Sequence, residues 1–278
     1  MAYLINALKR HPNEFTPAEQ QQIVREHYND IATKVEAFAT GRLPMRGLIV
    51  NGPAGGGKTE VVVQTLNALR SRYHMINGSM SAPQWHVKLH EYAREPEQIL
   101  VIDDTDIIFD DTQMCDTTKA ALDTAPGKTV DYIKTNSAAL RMAGVPERFI
   151  CRGRVIFITN RPMDSTHMTA RDWARIKPIR DRSHYVAAGL TPAWTGVAMQ
   201  LFFSAGRIRC FNEDTTVDAE HKQDIINWIS SNIERFPYLS FMTLIKALGY
   251  FKMETLRTIV YRICGGAPVA KITVTKLG

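Results

Sequence analysis

Short, wholly apolar runs punctuate the middle of the chain. Leu48-Ile49-Val50, Ile99-Leu100-Val101-Ile102 and Val155-Ile156-Phe157-Ile158 show no polar alternation. A strand covered on one face only would alternate, so these runs predict strands buried on both faces, as in a parallel sheet. The segments between them read differently. Residues 60–69 and 82–93 have helical spacing, and residues 74–77 predict a further strand. Strands alternating with helices predict an α/β sheet with crossover connections. Before this region, residues 1–44 read as helical. Thr16-Pro17-Ala18-Glu19 carries a capping Thr, a Pro at the first position and a Glu at the third. This start predicts a helix from residue 17 to about residue 38. Ile23, His27, Ile31 and Val35 recur every four residues along it, and Gly41 and Pro44 end it. Beyond about residue 195 the pattern is mostly helical, over 222–235, 240–251 and 253–264, with an alternating edge strand at 269–275. Three segments are expected: an N-terminal helical segment (1–44), an α/β core (45–195) and a small, mostly helical domain (196–278).

Composition narrows the class. A chain of 278 residues fits one to two domains. With 45% hydrophobic and 22% charged residues it is ordinary globular material, which excludes disorder as the main state. The four cysteines (Cys115, Cys151, Cys210 and Cys264) are scattered and form no CxxC pair. That argues against a disulfide framework or a zinc finger and for a reducing compartment. The first fifteen residues lack the apolar run of a secretory leader, and no stretch reaches the ~20 apolar residues of a membrane span. A cytoplasmic location and no membrane partner are expected.

Candidate chemistry begins where the first apolar run ends. Gly52-Pro53-Ala54-Gly55-Gly56-Gly57-Lys58-Thr59 matches G-x-x-x-x-G-K-[ST] in full, between a strand and a helix. Glycines let backbone N–H groups curl around phosphate oxygens, and a helix N-terminus adds partial positive charge. Lys58 would reach the β- and γ-phosphates, and the Thr59 hydroxyl would ligate Mg²⁺. The second run ends in Asp103-Asp104. Asp103 is expected to hold Mg²⁺, directly or through water, and Asp104 to orient or deprotonate an attacking water. The third run ends in Thr159-Asn160-Arg161, and the Asn160 carboxamide can bond that water or the γ-phosphate. ATP and Mg²⁺ are the implied cofactors.

With these three parts in this order, the chain resembles the AAA+ ATPases over about residues 45–195. The spacings agree, 45 residues from Lys58 to Asp103 and 57 from Asp103 to Asn160. The resemblance implies a Walker A loop at 52–59, Walker B acids at Asp103 and Asp104, and a sensor 1 at Asn160. It also implies a five-stranded parallel sheet sandwiched by helices, with a small helical lid. Family members supply an arginine finger to a neighbouring subunit, and Ile176-Lys177-Pro178-Ile179-Arg180-Asp181-Arg182-Ser183 is similar to that helix end. Arg182 aligns with the finger, and Arg180 is the second choice. Pairing with Asp181 or facing solvent is the plain alternative for both. The lid departs from the family: in Leu239-Ser240-Phe241-Met242-Thr243, Met242 stands where a sensor 2 Arg is usual, with Arg257 or Lys246 as substitutes. The paired acids and Asn-tipped strand are also similar to superfamily 3 helicases of small viruses, so a viral or phage-type member, in a host cytoplasm, stays open.

The resemblance implies a homo-oligomeric ring, a hexamer in the related viral branch, driving a motor or loader on nucleic acid, as in DNA replication. An AAA+ remodeller of protein partners is the alternative reading, and a P-loop phosphotransferase a third. Net charge bears on this choice. The total is +6, with residues 1–44 neutral at five basic and five acidic residues. Residues 45–195 contribute 19 − 16 = +3 and residues 196–278 contribute 10 − 7 = +3. Residues 141–182 alone hold ten basic and four acidic side chains. Lys128, Lys134, Arg141, Arg148, Arg152 and Arg154, ahead of Asn160, can either contact phosphates or balance the acids Asp106, Asp110, Asp111 and Asp116. Trp85 can grip a polymer or anchor a core. His86 and His90, four apart, fit ordinary histidines better than zinc ligands.

Overall fold

The computed structural model describes residues 2–132, 138–205, 217–232, 239–241, 243, 244 and 247. Met242, Lys246, Arg257, Lys134, Cys210, Cys264 and the alternating segment 269–275 lie outside the described residues, as does most of the two helices expected over 240–264.

The chain begins with α1 (Ala2–Lys9), a 3-10 turn (Pro12–Glu14) and α2 (Pro17–Ala39). The capping box is formed as expected. The Thr16 N–H donates to Glu19 Oε2 at 2.8 Å, and the Glu19 N–H donates to Thr16 Oγ1 at 3.3 Å. The alternating elements follow: β1 (Gly47–Asn51), α3 (Lys58–Ala68), β2 (Tyr73–Asn77), α4 (Ala82–Tyr92) and β3 (Ile99–Asp103). After β3 come α5 (Ile107–Asp110), α6 (Thr112–Leu122), the two-residue strands β4 (Val130–Asp131) and β5 (Arg148–Phe149) with α7 (Ala138–Ala143) between them, and β6 (Arg154–Thr159). The chain closes the sheet with α8 (Ala170–Asp181) and β7 (Ser183–Ala187), and continues into α9 (Pro192–Ser204) and α10 (Ala219–Ser231).

The fold is α/β. Five parallel strands run in the order β2-β3-β6-β1-β7, and helices flank them. The three apolar runs of the sequence occupy the three central strands, and Leu48, Ile49, Val50, Leu100, Val101 and Ile156 have no solvent exposure. One topological fact positions the site. Strand β6 lies between β1 and β3, with Asn51 opposite Thr159 and Asp103 opposite Ile158. The tips of these three strands are therefore adjacent, although their sequence positions are far apart. Ligands of open α/β sheets bind at this carboxyl end.

Two compact units emerge. One holds residues 1–27, 54–56 and 190–278; the other holds residues 28–53 and 57–189. The division falls within α2. In the first unit, the Trp194 indole donates to Arg10 O at 3.0 Å and its ring meets Phe15 at 5.7 Å, tying α9 to the N-terminal turn. Met199, Ile225, Ile226, Ile229 and Leu244 form its apolar core. The second unit contains the whole five-stranded sheet, and a core cluster joins α4, α6 and α8 to the strands. The helix end read at residues 176–183 is present, with α8 stopping at Asp181, and β7 directly after it is the fifth strand, whose place the apolar pattern did not show. Helix α6 was not expected, and it buries Met114, Cys115, Thr118 and Leu122.

No helix among the described residues is long and apolar enough to cross a membrane.

Candidate functional site

The loop after β1 turns through two left-handed glycines, Gly55 (φ 67°) and Gly57 (φ 76°), conformations that disfavour a side chain. Gly52 is required for a different reason. A Cβ there would lie 2.8 Å from Gly189 N and 2.9 Å from Ala188 C, where the chain leaves β7.

Gly57 caps α3, so Lys58 is the first helical residue. Its side chain folds back and is buried, 5% exposed. The ammonium donates to Gly52 O (3.0 Å), Pro53 O (2.8 Å) and Asn160 Oδ1 (2.7 Å), which uses all three of its hydrogens. Burial lowers the Lys58 pKa, and the carboxylates of Asp104, Asp103 and Asp106 oppose that shift.

Thr59, one residue on, points its hydroxyl at both oxygens of Asp103, at 3.1 and 3.0 Å. Burial raises the Asp103 pKa and the charge of Asp104 adds to it; the Thr59 hydrogen bond and the Lys58 charge oppose it. Asp104 is exposed and left-handed at φ 50°, with its N–H donating to Ile158 O at 3.1 Å. A left-handed non-glycine residue marks a conformation held by its surroundings. That conformation brings Asp104 Oδ1 within 2.8 Å of Asn160 Nδ2. The Asn160 carboxamide thus bridges Lys58 and Asp104. Its orientation follows from chemistry, since an oxygen must face the ammonium and an NH₂ the carboxylate.

Lys58, Thr59, Asp103, Asp104 and Asn160 are brought together as the sequence anticipated. Arg180 and Arg182 have partners elsewhere. Arg182 caps α8, donates to Pro178 O at 3.0 Å and lies 3.9 Å from an Asp123 carboxylate oxygen. Arg180 stacks its guanidinium over Tyr185 at 4.6 Å, with Trp173 at 5.9 Å.

The acids that follow Asp103 and Asp104 take several roles around the cluster. Asp106 accepts from Thr159 Oγ1 at 2.6 Å, and Asp110 pairs with Arg161. Asp111 caps α6 through the Met114 N–H at 2.8 Å, and Asp116 pairs with Lys119 at 2.9 Å. The acidic run thus divides into structural contacts and a solvated face. Asn51 and Tyr185, unforeseen from the sequence, stand beside the Asn160 tip. A polar residue ending a buried strand was the available signal for Asn51.

Trp85 is fully buried, and its indole donates to Thr118 Oγ1 at 3.0 Å, so it anchors the core. His86 is buried against Tyr132 and Phe149, with Nε2 3.0 Å from Pro146 O. Cys115 and Cys151 are free and buried, and burial pushes their thiols up to about 11 and about 12.

No group of three metal-ligating His, Cys, Asp or Glu side chains exists among the described residues. The Thr59 hydroxyl and the Asp103 carboxylate still make a pair of hard oxygen donors. That set fits Mg²⁺, which keeps waters and phosphate oxygens as its other ligands.

No protein-family model matches the chain and no curated protein is significantly similar to it. Among solved structures it is similar to domain III of the Thermotoga maritima replication initiation protein DnaA, at 14% identity and a TM-score of 0.44, over 86% of this chain and 91% of that one.

Proposed function

We propose that the chain is a Mg²⁺-dependent ATPase of the AAA+ type that works as a homo-oligomer, a ring of hexameric kind, and acts on nucleic acid as a motor or loader. The observation that carries the reading is the hydrogen-bonded set Lys58–Asn160–Asp104 beside Thr59–Asp103, assembled from three strand tips at one end of a parallel sheet.

Each residue then has a task. The loop Gly52, Pro53, Ala54, Gly55, Gly56, Gly57 offers N–H groups to phosphates, and Lys58 exchanges its two loop carbonyls for phosphate oxygens. Thr59 and Asp103 hold Mg²⁺, which neutralises charge between the β- and γ-phosphates. Asp104 orients water and takes its proton, and Asn160 fixes that carboxylate and the Lys58 ammonium in one geometry. Arg182, or Arg180, serves a neighbouring subunit by stabilising charge on the departing phosphoryl group. Residues 196–278 form the lid, and residues 1–44 a separate helical segment.

The decisive measurement is ATP turnover with and without DNA over a salt series. DNA stimulation that fades steeply as salt rises supports nucleic acid as partner. No effect of DNA on turnover or assembly at low salt removes that part of the proposal. One observation favours the second reading, an AAA+ remodeller of proteins. Arg148 is spent on Asp131 at 2.7 Å and Arg154 on Pro96 O at 2.8 Å, which leaves less base for phosphates.

A further inference from the structure

Asn160 sits at a strand tip, where a carboxamide has several rotamers available. Something must fix it, and the surrounding hydrogen bonds show how. Asn51, the last residue of β1, donates through Nδ2 to Thr159 O at 3.2 Å and to Arg161 O at 2.6 Å. These are the carbonyls on either side of Asn160, so one carboxamide clamps the backbone that carries another. Both Nδ2 hydrogens are used. The remaining atom, Asn51 Oδ1, accepts from the Tyr185 hydroxyl at 2.8 Å. Tyr185 lies on β7, the other neighbour of β1, and its ring is covered by the Arg180 guanidinium at 4.6 Å. The Tyr185 phenol is protonated at neutral pH and so donates, and burial moves its pKa further up. Arg180 Nε is buried with no hydrogen-bond partner among the described residues, and its guanidinium stacks on the ring.

We infer that Asn51 and Tyr185 are positioning residues for Asn160: the Tyr185 hydroxyl sets the Asn51 carboxamide, which clamps Thr159 O and Arg161 O and so holds Asn160 between Lys58 and Asp104. The inference rests on the ATPase reading for its kinetic consequence and not for its geometry. It assigns Arg180 to bracing Tyr185 within its own subunit, which leaves Arg182 as the residue to face a neighbour.

The test uses the full chain and the conservative variant Tyr185→Phe, which removes one hydroxyl and keeps the packing. The Asn160 side-chain amide resonances, identified by their loss in Asn160→Ala, are expected to move in Tyr185→Phe and further in Asn51→Asp, which turns the clamp's donor into an acceptor. The kcat for ATP is expected to fall about fivefold in Tyr185→Phe, the worth of one neutral hydrogen bond, with nucleotide affinity held. In an Asn160→Ala background the same change is expected to cost nothing more, whereas a merely structural residue would cost the same again. Unmoved Asn160 resonances, or a loss that multiplies in the Asn160→Ala background, overturn the inference. If the Lys58→Ala variant turns over ATP like the parent, the ATPase reading falls and the resonances alone decide the clamp.

Discussion

The carboxyl end of the sheet and the basic stretch of residues 141–182 drew attention for opposite reasons, one by motif and one by charge, and they are built in opposite ways. At the sheet end, polar side chains from distant parts of the chain bond to one another: Lys58 to Asn160, Asn160 to Asp104, Thr59 to Asp103. In the basic stretch five of the ten cations are paired with single carboxylates instead of with one another. Arg148 pairs with Asp131, Arg161 with Asp110, Arg175 with Asp172, Lys177 with Asp181, and Arg182 with Asp123. A net charge read from a sequence is therefore a poor guide to the field a partner meets, because much of it is cancelled within a few ångströms. A mutual cluster is a better guide, since holding a buried ammonium and two adjacent carboxylates together makes sense mainly for chemistry.

The comparison predicts how unequal the two regions are under mutation. Lys58→Ala should abolish nucleotide binding or turnover, seen by fluorescent-nucleotide titration and phosphate release, with the fold intact by circular dichroism. Arg182→Ala should lower turnover by about 10³-fold, the effect of a lost arginine finger, while nucleotide still binds. Mixing it with Lys58→Ala subunits should restore part of the activity, and a monomer with no restoration would place Arg182 among the tied-off charges. Asp104→Asn should cut kcat by about 10²-fold or more, the range of a lost general base, with affinity retained.

Smaller effects are expected away from the sheet end and Arg182. Burial lowers the His86 pKa, the charge of His90 adds to that shift, and the Pro146 bond opposes it. A histidine held below its ordinary value gives stability that is complete above about pH 6.5 and is lost as pH falls through that value toward the folded pKa. The thermal midpoint should thus drop between pH 7 and pH 5 in the parent and drop less in His86→Gln. Smallest of all, Asp123→Asn should change stability by under about 1 kcal/mol in chemical denaturation, because the pair with Arg182 is long and partly exposed.

What could be read from the sequence was what is local in it. The glycine-rich loop between β1 and α3, the three apolar runs and the Thr16–Glu19 box each declare themselves within eight residues, and each has the local structure expected of it. Strand β7 did not, because Ser-His-Tyr-Val-Ala has no apolar run like those of the central strands. Its Ser183 hydroxyl is satisfied by Ile179 O at 2.8 Å, and its polarity is absorbed by such contacts. The Asn51–Tyr185 bond joins residues 134 positions apart, and no periodicity announces a pairing of that kind. Trp85 could be read either way, because burial depends on what covers α4. That cover includes α6, which the acidic run ahead of it concealed.

The crowding at Gly52 bears on how such chains should be judged when their lineages decay. The first glycine of the loop is held by the neighbouring strand exit, with Ala188 and Gly189 inside the space a methyl would need. A substitution at Gly52 would force the exit of β7 to shift whether or not the loop holds a ligand. The glycine therefore reports on how two strand ends pack, and it would be kept for that reason even in a copy whose loop binds nothing.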